Sequence, residues 1–446
     1  MTQKFLSAAH AADDLPSSVD VIIIGAGPAG AAAAWALDRA QPGIRILLVE
    51  RSATIGAGSS RASLENFRTC WPCAPLARMM QRSVHMIMNA DETLGEGALA
   101  AIHPKQQGYL WCAFNEVQAA GFRADVAHLQ TMGIDVVAYL DADEVNHRFP
   151  WLGGRVIAAK HDPTAGWLDS NALISRFLAA AAGAQVLLDA GESRLRIEGG
   201  RVTGVETAAG VVATPCVVLA AGAWSVEIAR AVNLPLPITL RPRQSFTTGW
   251  RHDAIPDDAP MLIGAAPFPH VRPEARSGAI FGWEYRWHRK HARSAHNAEA
   301  DAPDDAIAMP VERLDTLKDP RFPSIALALL ARQFGDSPGE GFNDPRYLRS
   351  VYHNIGYYVY RDASTAYRTH PDGSRIPYES ERAILDVHPD VEGLYLSIAH
   401  VGHGVMSAPS AGEIIAAKVL GQPLPDPEFA AFGIDVPWVA HDENAL

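Results

Sequence analysis

The clearest pattern of apolar and polar positions lies near the start of the chain, in residues 20–50. A continuous apolar run, Val21–Ile24, leads into a glycine-rich turn, an alanine-rich stretch from Ala29 and a second apolar run that ends at Glu50. An unbroken apolar run is typical of a parallel strand buried on both faces, and alanine favours helix. The pattern therefore predicts a strand, a turn, a helix with Pro28 in its first turn, and a second strand.

Three later stretches show related patterns. Residues 169–190 predict a helix followed by a strand, and residues 201–225 predict a hairpin followed by an apolar strand. Residues 393–421 predict a strand, a glycine-rich loop and a helix. In this last unit, Ser410 and Glu413 have the spacing of a capping box, and the proline before Ser410 suits a first helical turn. The last helix is therefore predicted to begin near this proline.

The intervening segments are richer in aromatic residues, prolines and alternating patterns. We therefore predict a discontinuous nucleotide-binding domain with a second domain inserted twice. The first domain is assigned residues 1–90, 155–240 and 351–446, and the second residues 91–154 and 241–350.

The composition excludes several classes of protein. The chain has 446 residues, 48% of them hydrophobic, and a net charge of -12, which disfavours binding to nucleic acid or to an anionic membrane. Four cysteines do not make a disulfide scaffold and indicate a reducing compartment. No signal peptide and no membrane span are recognised, so we expect a cytoplasmic protein.

The turn in the first unit carries a dinucleotide-binding motif. Gly25, Gly27 and Gly30 form G-x-G-x-x-G between a predicted strand and helix, and Glu50 follows at the end of the next strand. The glycines permit a tight turn and let the backbone approach a pyrophosphate at the helix N-terminus, while Glu50 can accept a hydrogen bond from ribose. Arg51 could indicate a 2′-phosphate, but the neighbouring carboxylate would repel it.

No second motif of this kind is present for a separate nicotinamide. A nucleotide-binding domain that continues through the whole chain favours a large buried cofactor such as FAD over NAD.

Motifs spread over residues 20–421 resemble the FAD-dependent D-amino-acid oxidase superfamily, and its sarcosine/glycine oxidase-like branch in particular. They are VDVIIIGAGPAGAAAAWAL with LLVER, GAGSSRASLENFR, VVLAAGAWS, LRPRQ and EGLYLSIAHVGHGVMSAPSAGEIIA. The resemblance implies an α/β fold (α+β overall). A Rossmann-like, glutathione-reductase-type FAD-binding domain would carry an inserted substrate domain built on a large mixed β-sheet.

The resemblance also implies a reaction. An amino acid or a secondary amine, of the N-substituted glycine or imino-acid type, would lose a hydride from its C–N bond to flavin N5. The resulting imine would hydrolyse in water. The partners expected are this small-molecule substrate and an electron acceptor, either oxygen or a redox partner.

Cofactor contacts are implied for the residues that match these motifs. The helix after the Gly-His-Gly segment would point its positive end at the flavin and stabilise negative charge on the reduced ring. The cofactor-binding residues expected are Gly25, Gly27, Pro28, Ala29, Gly30, Glu50, Arg51, Ser59, Ser60, Arg61, Ala221, Gly222, Trp224, Gly402, His403, Gly404, Val405 and Met406.

Substrate contacts are implied less directly. Arg68 lies near the family's carboxylate-binding arginine, and a planar guanidinium suits a carboxylate, although a structural role stays open. His400 and His403 could line the flavin or the substrate cavity, or could each satisfy a buried hydrogen bond. Tyr358 and Arg361 lie in the segment where the family places substrate contacts, and there Arg368 competes with Arg361. Tyr285 could line the cavity or belong to the core of a sheet.

Two departures from the family pattern bear on the chemistry. Covalent-flavin members use a cysteine in the late substrate-contact segment, and this chain has none there, so we predict non-covalent FAD. Sarcosine-oxidase-like members place a lysine over the flavin to activate oxygen, and the matching stretch, SGAIFGWEY, has none. A dehydrogenase is therefore as open as an oxidase.

A Cys-x-x-Cys pair, Cys70 and Cys73, raises three interpretations: a redox dithiol, half of a metal site, or packing. A disulfide reductase would need a second nucleotide motif, and zinc would need two further ligands. The segment after Cys73 has the pattern of a helix. Packing is therefore the interpretation we favour, and no metal site is predicted.

Two alternative functions stay open. A flavin- and NADPH-dependent monooxygenase of the aromatic-hydroxylase type shares the FAD domain, although such enzymes usually carry a Gly-Asp pair where this chain has SIAHVGHG. A flavin-binding subunit of a larger complex is the second alternative.

Overall fold

A computed structural model describes residues 4–9, 14–265, 268–283, 311–335, 338–362, 366–369, 375–377 and 380–440. The strands are β1 (Phe5–Ser7), β2 (Val21–Ile24), β3 (Ile46–Val49), β4 (Asn66–Phe67), β5 (Tyr109–Ala113), β6 (Ala138–Asp141), β7 (Ala158–Asp162), β8 (Gly166–Trp167), β9 (Ala184–Leu188), β10 (Arg194–Glu198), β11 (Arg201–Thr207), β12 (Gly210–Ala213), β13 (Val217–Leu219), β14 (Ile238–Thr248), β15 (Met261–Ile263), β16 (Pro269–Glu274), β17 (Gly278–Trp283), β18 (Tyr352–Arg361), β19 (Ala366–Thr369), β20 (Arg375–Pro377), β21 (Ile384–Val387), β22 (Leu394–Ile398) and β23 (Trp438–Ala440). The helices are α1 (Pro28–Ala40), α2 (Ala74–Met88), α3 (Ala90–Leu94), α4 (Ala98–Ile102), α5 (Glu116–Thr131), α6 (Ala142–Arg148), α7 (Ser170–Ala180), α8 (Ser225–Arg230), α9 (Phe322–Phe334) and α10 (Gly404–Val419).

The first large sheet has seven strands in the order β1-β9-β3-β2-β13-β22-β21. Its neighbouring strands are parallel except β21, which pairs antiparallel with β22. All four residues of β2 are buried, because apolar side chains cover both faces of the sheet. The sequence prediction of a β-α-β unit in residues 20–50 is confirmed, as are the predicted helix and strand of residues 169–190.

Two helices pack closely on one face of this sheet. A methyl group on Gly412 of α10 would overlap the carbonyl oxygen of Ala32 in α1, so the two backbones touch. Small residues at this contact place the N-termini of both helices near the carboxyl ends of the parallel strands.

The predicted start of the last helix near Pro409 is wrong. Helix α10 already begins at Gly404, with Pro409 inside it. The hydroxyl of Ser410, instead of capping a helix, donates to the carbonyl of Met79, and Ser83 donates to Ser407 O within the same buried contact between α2 and α10. These side-chain bonds support the helix around a residue that has no N–H.

The second large sheet has eight strands in the order β18-β14-β17-β16-β15-β5-β7-β6. It is mixed, because β15 and β5 are parallel and the other pairs are antiparallel. Helix α9 covers one face with a core of aromatic and aliphatic residues. This large mixed sheet confirms the predicted fold class.

The division of the chain into domains stays a prediction. Strands β7 and β18 both belong to the eight-stranded sheet, although both fall in ranges assigned to the nucleotide-binding domain. Within the described part of the chain, no helix is long and apolar enough to cross a membrane.

Candidate functional site

A cavity of about 580 Å³ lies where the carboxyl ends of β2, β13 and β22 meet. The turn before α1 forms one wall, and the segments that follow β13 and β22 form others. In open α/β sheets, ligands bind outside the carboxyl ends of the strands, where helix N-termini converge. The position and size of the cavity suit a dinucleotide.

The glycines of the predicted motif have three different surroundings. Gly25 has φ +111°, and a methyl group on it would lie 2.5 Å from the carbonyl oxygen of Ala220. A methyl group on Gly30 would overlap the carbonyl oxygen of Gly25. Gly27 lines the cavity, and a methyl group there would meet no protein atom within 4 Å. Gly25 and Gly30 are therefore fixed by packing, whereas Gly27 leaves space for a ligand.

Glu50 is held with its carboxylate at the cavity wall. Its Oε2 accepts from the Ala26 N–H at 2.9 Å, and its Oε1 accepts from the Ser52 N–H at 3.0 Å. The side chain is buried, and its remaining lone pairs can accept from ribose hydroxyls. Beside it, the Arg51 guanidinium lies 5.3 Å from the ring centroid of Trp224, on the same cavity.

These features fit FAD. Most of the expected cofactor residues line the large cavity: Gly25, Gly27, Pro28, Ala29, Glu50, Arg51, Ser59, Ser60, Ala221, Gly222, Trp224, Gly402, Gly404 and Val405. Gly30 packs beneath the turn instead of lining it. Arg61 lies outside, with its guanidinium donating to the Tyr352 hydroxyl at 2.8 Å. His403 and Met406 line a second cavity.

This second cavity, of about 100 Å³, lies between the eight-stranded sheet and the start of α10. It shares wall residues with the large cavity, so a ligand in the large cavity would border the small one. The shared residues are Ser59, Ser63, Tyr357, Tyr358, Val401, Gly402 and Val405. The small volume suits a ligand of amino-acid size.

Arg68 lines the small cavity and is almost fully buried, at 4% exposure. Its guanidinium carbon lies 4.0 Å from the ring centroid of Trp71 and 5.6 Å from that of Trp111. Stacking on indole stabilises a desolvated cation through the ring quadrupole. The predicted substrate arginine is therefore positioned by two buried tryptophans.

The two histidines of the last loop lie on different cavities. His403 lines the small cavity, with its ring centroid 4.3 Å from that of Trp71 and its Nε2 3.9 Å from Glu381 Oε2. Burial, and then the positive charge of Arg68, hold the pKa of His403 well below its usual value. The imidazole is therefore neutral at physiological pH.

His400 lines the large cavity. Its Nε2 lies 3.2 Å from the Ser397 hydroxyl and its Nδ1 3.4 Å from the Ser407 hydroxyl, and burial lowers its pKa to about 4. Ala399 (φ 61°) and Val401 (φ 52°) flank it in the left-handed region, which is rare for a β-branched residue. Such strain clusters at functional sites. Both interpretations of His400 thus apply, because it satisfies hydrogen bonds and also lines the cavity.

The other expected substrate residues lie in different places. Tyr358 forms part of the shared wall, where a methyl group on Gly402 would lie 2.5 Å from Tyr358 Cζ. The structure places Arg361 outside both cavities, since its guanidinium donates to the carbonyls of Gly433 and Ile434 near the end of the described chain. Arg361 is therefore not a wall residue of either cavity. Tyr285 lies outside the described residues.

Several residues of the small cavity were not predicted from the sequence. Arg243 lies 5.4 Å from the ring centroid of Tyr358, and Glu381 and Asn66 line the cavity with it. Tyr109 and His270 complete the polar lining. Arg243 could have been found, because it belongs to LRPRQ, but the others carry no local signal.

The four cysteines are not disulfide-bonded, and Cys70 and Cys73 are buried. Burial raises the pKa of the Cys70 thiol to about 12, with Asp162 adding to the effect. Among the described residues, no cluster of side chains is suited to a metal ion and no cysteine lines either cavity. These observations favour packing for the pair, and non-covalent binding of FAD stays a prediction.

Comparisons with known proteins agree with the geometry. The family model for FAD dependent oxidoreductases (DAO) matches residues 20–418. The sarcosine oxidase subunit beta of Rhizobium meliloti is 25% identical over 297 residues, covering 63% of this chain and 67% of that protein. Glycine oxidase of Pseudomonas putida is 28% identical over 231 residues, covering 52% of this chain and 48%, or about half, of that protein.

Among solved structures, L-proline dehydrogenase from P. horikoshii has the same fold. Its TM-score is 0.69 at 21% identity, covering 94% of this chain and 98% of that one.

Proposed function

Because the chain belongs to the DAO family of FAD-dependent oxidoreductases, we propose that it oxidises the C–N bond of a small amino acid or secondary amine, such as an N-substituted glycine or imino acid. The family assignment confirms the resemblance, and with it FAD as the cofactor and oxidoreductase as the class of enzyme. When bound, FAD supplies the acceptor for the hydride that leaves the substrate carbon.

The observation that supports this proposal most strongly is the adjoining pair of cavities with Arg68 in the smaller one. A guanidinium offers two parallel N–H donors that match a carboxylate. Removing the carboxylate from water is offset only where such a charge-assisted pair forms. Arg68 therefore binds the substrate carboxylate and fixes the neighbouring C–N bond against the shared wall.

The amine end of the substrate has its own partners in the cavity. A neutral His403 and the Glu381 carboxylate both lie on the small cavity and can accept hydrogen bonds from N–H groups. Hydride loss requires the neutral amine, so the ammonium form of the substrate must first lose a proton. A nearby group that accepts this proton assists the reaction. Tyr358 and Tyr360, both on β18, line the cavity from the sheet side.

A substrate panel tests this function. The purified holoprotein is mixed anaerobically with D- and L-amino acids, D- and L-proline, sarcosine and other N-substituted glycines, and the visible absorbance of the flavin is followed. Bleaching by one class identifies the substrate. Air is then admitted: fast recovery of the absorbance indicates an oxidase that uses oxygen, and slow recovery indicates a dehydrogenase that uses a redox partner.

A second candidate is a flavin-binding subunit of a larger complex, because one relative is named as subunit beta of sarcosine oxidase. Size-exclusion chromatography of the purified chain, with its flavin spectrum and the same panel, separates the two. A chain that binds FAD but is reduced only after a partner is added would favour the subunit. No observation favours the monooxygenase.

A further inference from the structure

Trp71, in the middle of the Cys-x-x-Cys motif, is the residue that this motif contributes to the site. It is fully buried and lines neither cavity, yet it contacts two residues that line the small one. Its ring centroid lies 4.0 Å from the guanidinium carbon of Arg68 and 4.3 Å from the ring centroid of His403, to which it is edge-on at 67°. One indole thus supports two cavity residues that are distant in the sequence.

We propose that Trp71 is a positioning residue for the substrate carboxylate: its ring holds the Arg68 guanidinium and the His403 imidazole in the orientations in which they face the small cavity. The proposal rests on the proposed function, in which Arg68 binds the carboxylate. Because Trp71 lines neither cavity, it would act through Arg68 and His403.

A tryptophan at this position differs from a phenylalanine in its N–H group and in its ring face. The indole N–H of Trp71 is buried and has no hydrogen-bond partner among the residues that the structure describes. A buried donor without an acceptor destabilises a fold. Phenylalanine would fill most of the same space without that penalty. What only the indole provides is the larger and more electron-rich ring face, which is the strongest aromatic partner for a cation.

The two indoles lie against the Arg68 guanidinium at different distances. Arginine donates its hydrogen bonds in the plane of the group, whereas its faces can only stack. Trp71 covers one face at close range, and Trp111 stacks more loosely at 5.6 Å. Lys160 in turn lies 4.6 Å from the Trp111 ring and is paired with Asp125 of α5 at 3.0 Å. The indoles thereby restrict how Arg68, which lines the small cavity, can rotate.

The test compares Trp71→Phe with wild type as holoprotein. Acetate is the probe and acetamide its uncharged isostere, each titrated at constant ionic strength and followed by the change in the flavin spectrum. We expect the dissociation constant for acetate to rise roughly tenfold in Trp71→Phe, because the ring face is smaller and Arg68 is less restricted. The dissociation constant for acetamide should not change, and the melting temperature should stay within about 4 °C of wild type.

Trp35→Phe is the matched control. Trp35 is also buried, also has an arginine over its ring (Arg39, at 5.4 Å), and lines neither cavity. The same truncation there should leave acetate binding unchanged. If Trp71→Phe does not retain FAD, Trp71→Tyr takes its place, and failure of both to fold would assign Trp71 a structural role and overturn the proposal.

Arg68→Met distinguishes the proposed role of Arg68 from the proposed role of Trp71. If Arg68→Met leaves acetate binding unchanged, Arg68 does not bind the carboxylate, and the proposed role of Arg68 fails together with this one. If Arg68→Met abolishes acetate binding while Trp71→Phe lowers the melting temperature and binds acetate as wild type does, only the role of Trp71 is wrong.

Discussion

Gly30 lies so close to the carbonyl oxygen of Gly25 that a methyl group on Gly30 would overlap it, so the first turn of α1 packs directly on the turn before it. Gly27, between them, has no protein atom within 4 Å of the position a methyl group would occupy. Two glycines of one motif are therefore required for different reasons. Gly30 is required for close packing in the fold, and Gly27 leaves space for the ligand.

Gly27→Ala should fold normally and lose FAD. We expect the apoprotein to melt as wild type does, because the methyl group meets nothing in the protein, while the dissociation constant for FAD rises at least about tenfold because the methyl group occupies space needed by the pyrophosphate. Thermal unfolding and FAD fluorescence titration measure the two effects.

Gly121→Ala, in α5, is the matched control, since its methyl group also meets nothing within 4 Å, far from the motif in sequence. Unchanged FAD affinity in Gly27→Ala would contradict the assignment of the large cavity.

Glu50→Gln should weaken FAD binding roughly tenfold. The amide keeps one acceptor oxygen but would place its NH2 group against the N–H of either Ala26 or Ser52, and it would lose a charged acceptor for ribose. The dissociation constant is measured by adding FAD to apoprotein. Asp20→Asn is the control, because Asp20 lies at the other end of β2 in an exposed pair with Arg45 and should leave FAD affinity unchanged.

Stability should fall in acid partly through His400. Burial lowers the pKa of His400 to about 4 in the folded protein, whereas an unfolded histidine titrates near 6.5, so below that pH the unfolded state binds more protons. The contribution of the neutral His400 side chain to the free energy of unfolding is fully present above pH 6.5. It is lost as the pH falls from 6.5 towards 4.

Urea unfolding of wild type and His400→Gln at pH 7 and pH 5 measures this effect. The stability of wild type relative to the variant should fall by about 2 kcal/mol between the two pH values. A difference that does not change with pH would show that His400 is not buried as a neutral imidazole.

The thiols of the Cys-x-x-Cys pair should be unreactive in the native protein. With its pKa raised to about 12, the Cys70 thiol has almost no thiolate near neutral pH, and the thiolate is the reactive form. Native protein should therefore label slowly at Cys70 with a thiol reagent and rapidly once unfolded, and Cys70→Ala/Cys73→Ala should keep FAD and its reduction by substrate. A Cys70–Cys73 disulfide in native protein, found by peptide mass mapping, would refute the packing interpretation.

The part of the cofactor site around the first turn could be predicted from the sequence because its residues lie close together along the chain. Gly25, Gly27 and Glu50 belong to one β-α-β unit whose apolar runs and turn are local signals. The start of α10 was predicted wrongly, because the local signal at Pro409 and Ser410 is overridden by the hydrogen bonds of Ser410 to α2.

The small cavity was less predictable because its walls come from many elements. Asn66, Tyr109 and His270 lie on three different strands, and only the pairing of β5, β15 and β16 in one sheet brings two of them together. Arg361 had a plausible local context, but its side chain bonds to the carbonyls of Gly433 and Ile434, a contact that no short segment reveals.

The most direct test of the central claim compares an amino acid with its amide. The best substrate of the panel and its carboxamide are mixed anaerobically with holoprotein in a stopped-flow instrument, and the bleaching of the flavin is timed. We predict that the acid reduces the flavin at least about a hundredfold faster at limiting concentration, because a charged pair with Arg68 is lost in the amide. Equal rates for acid and amide, or no bleaching by any amine, would contradict the account.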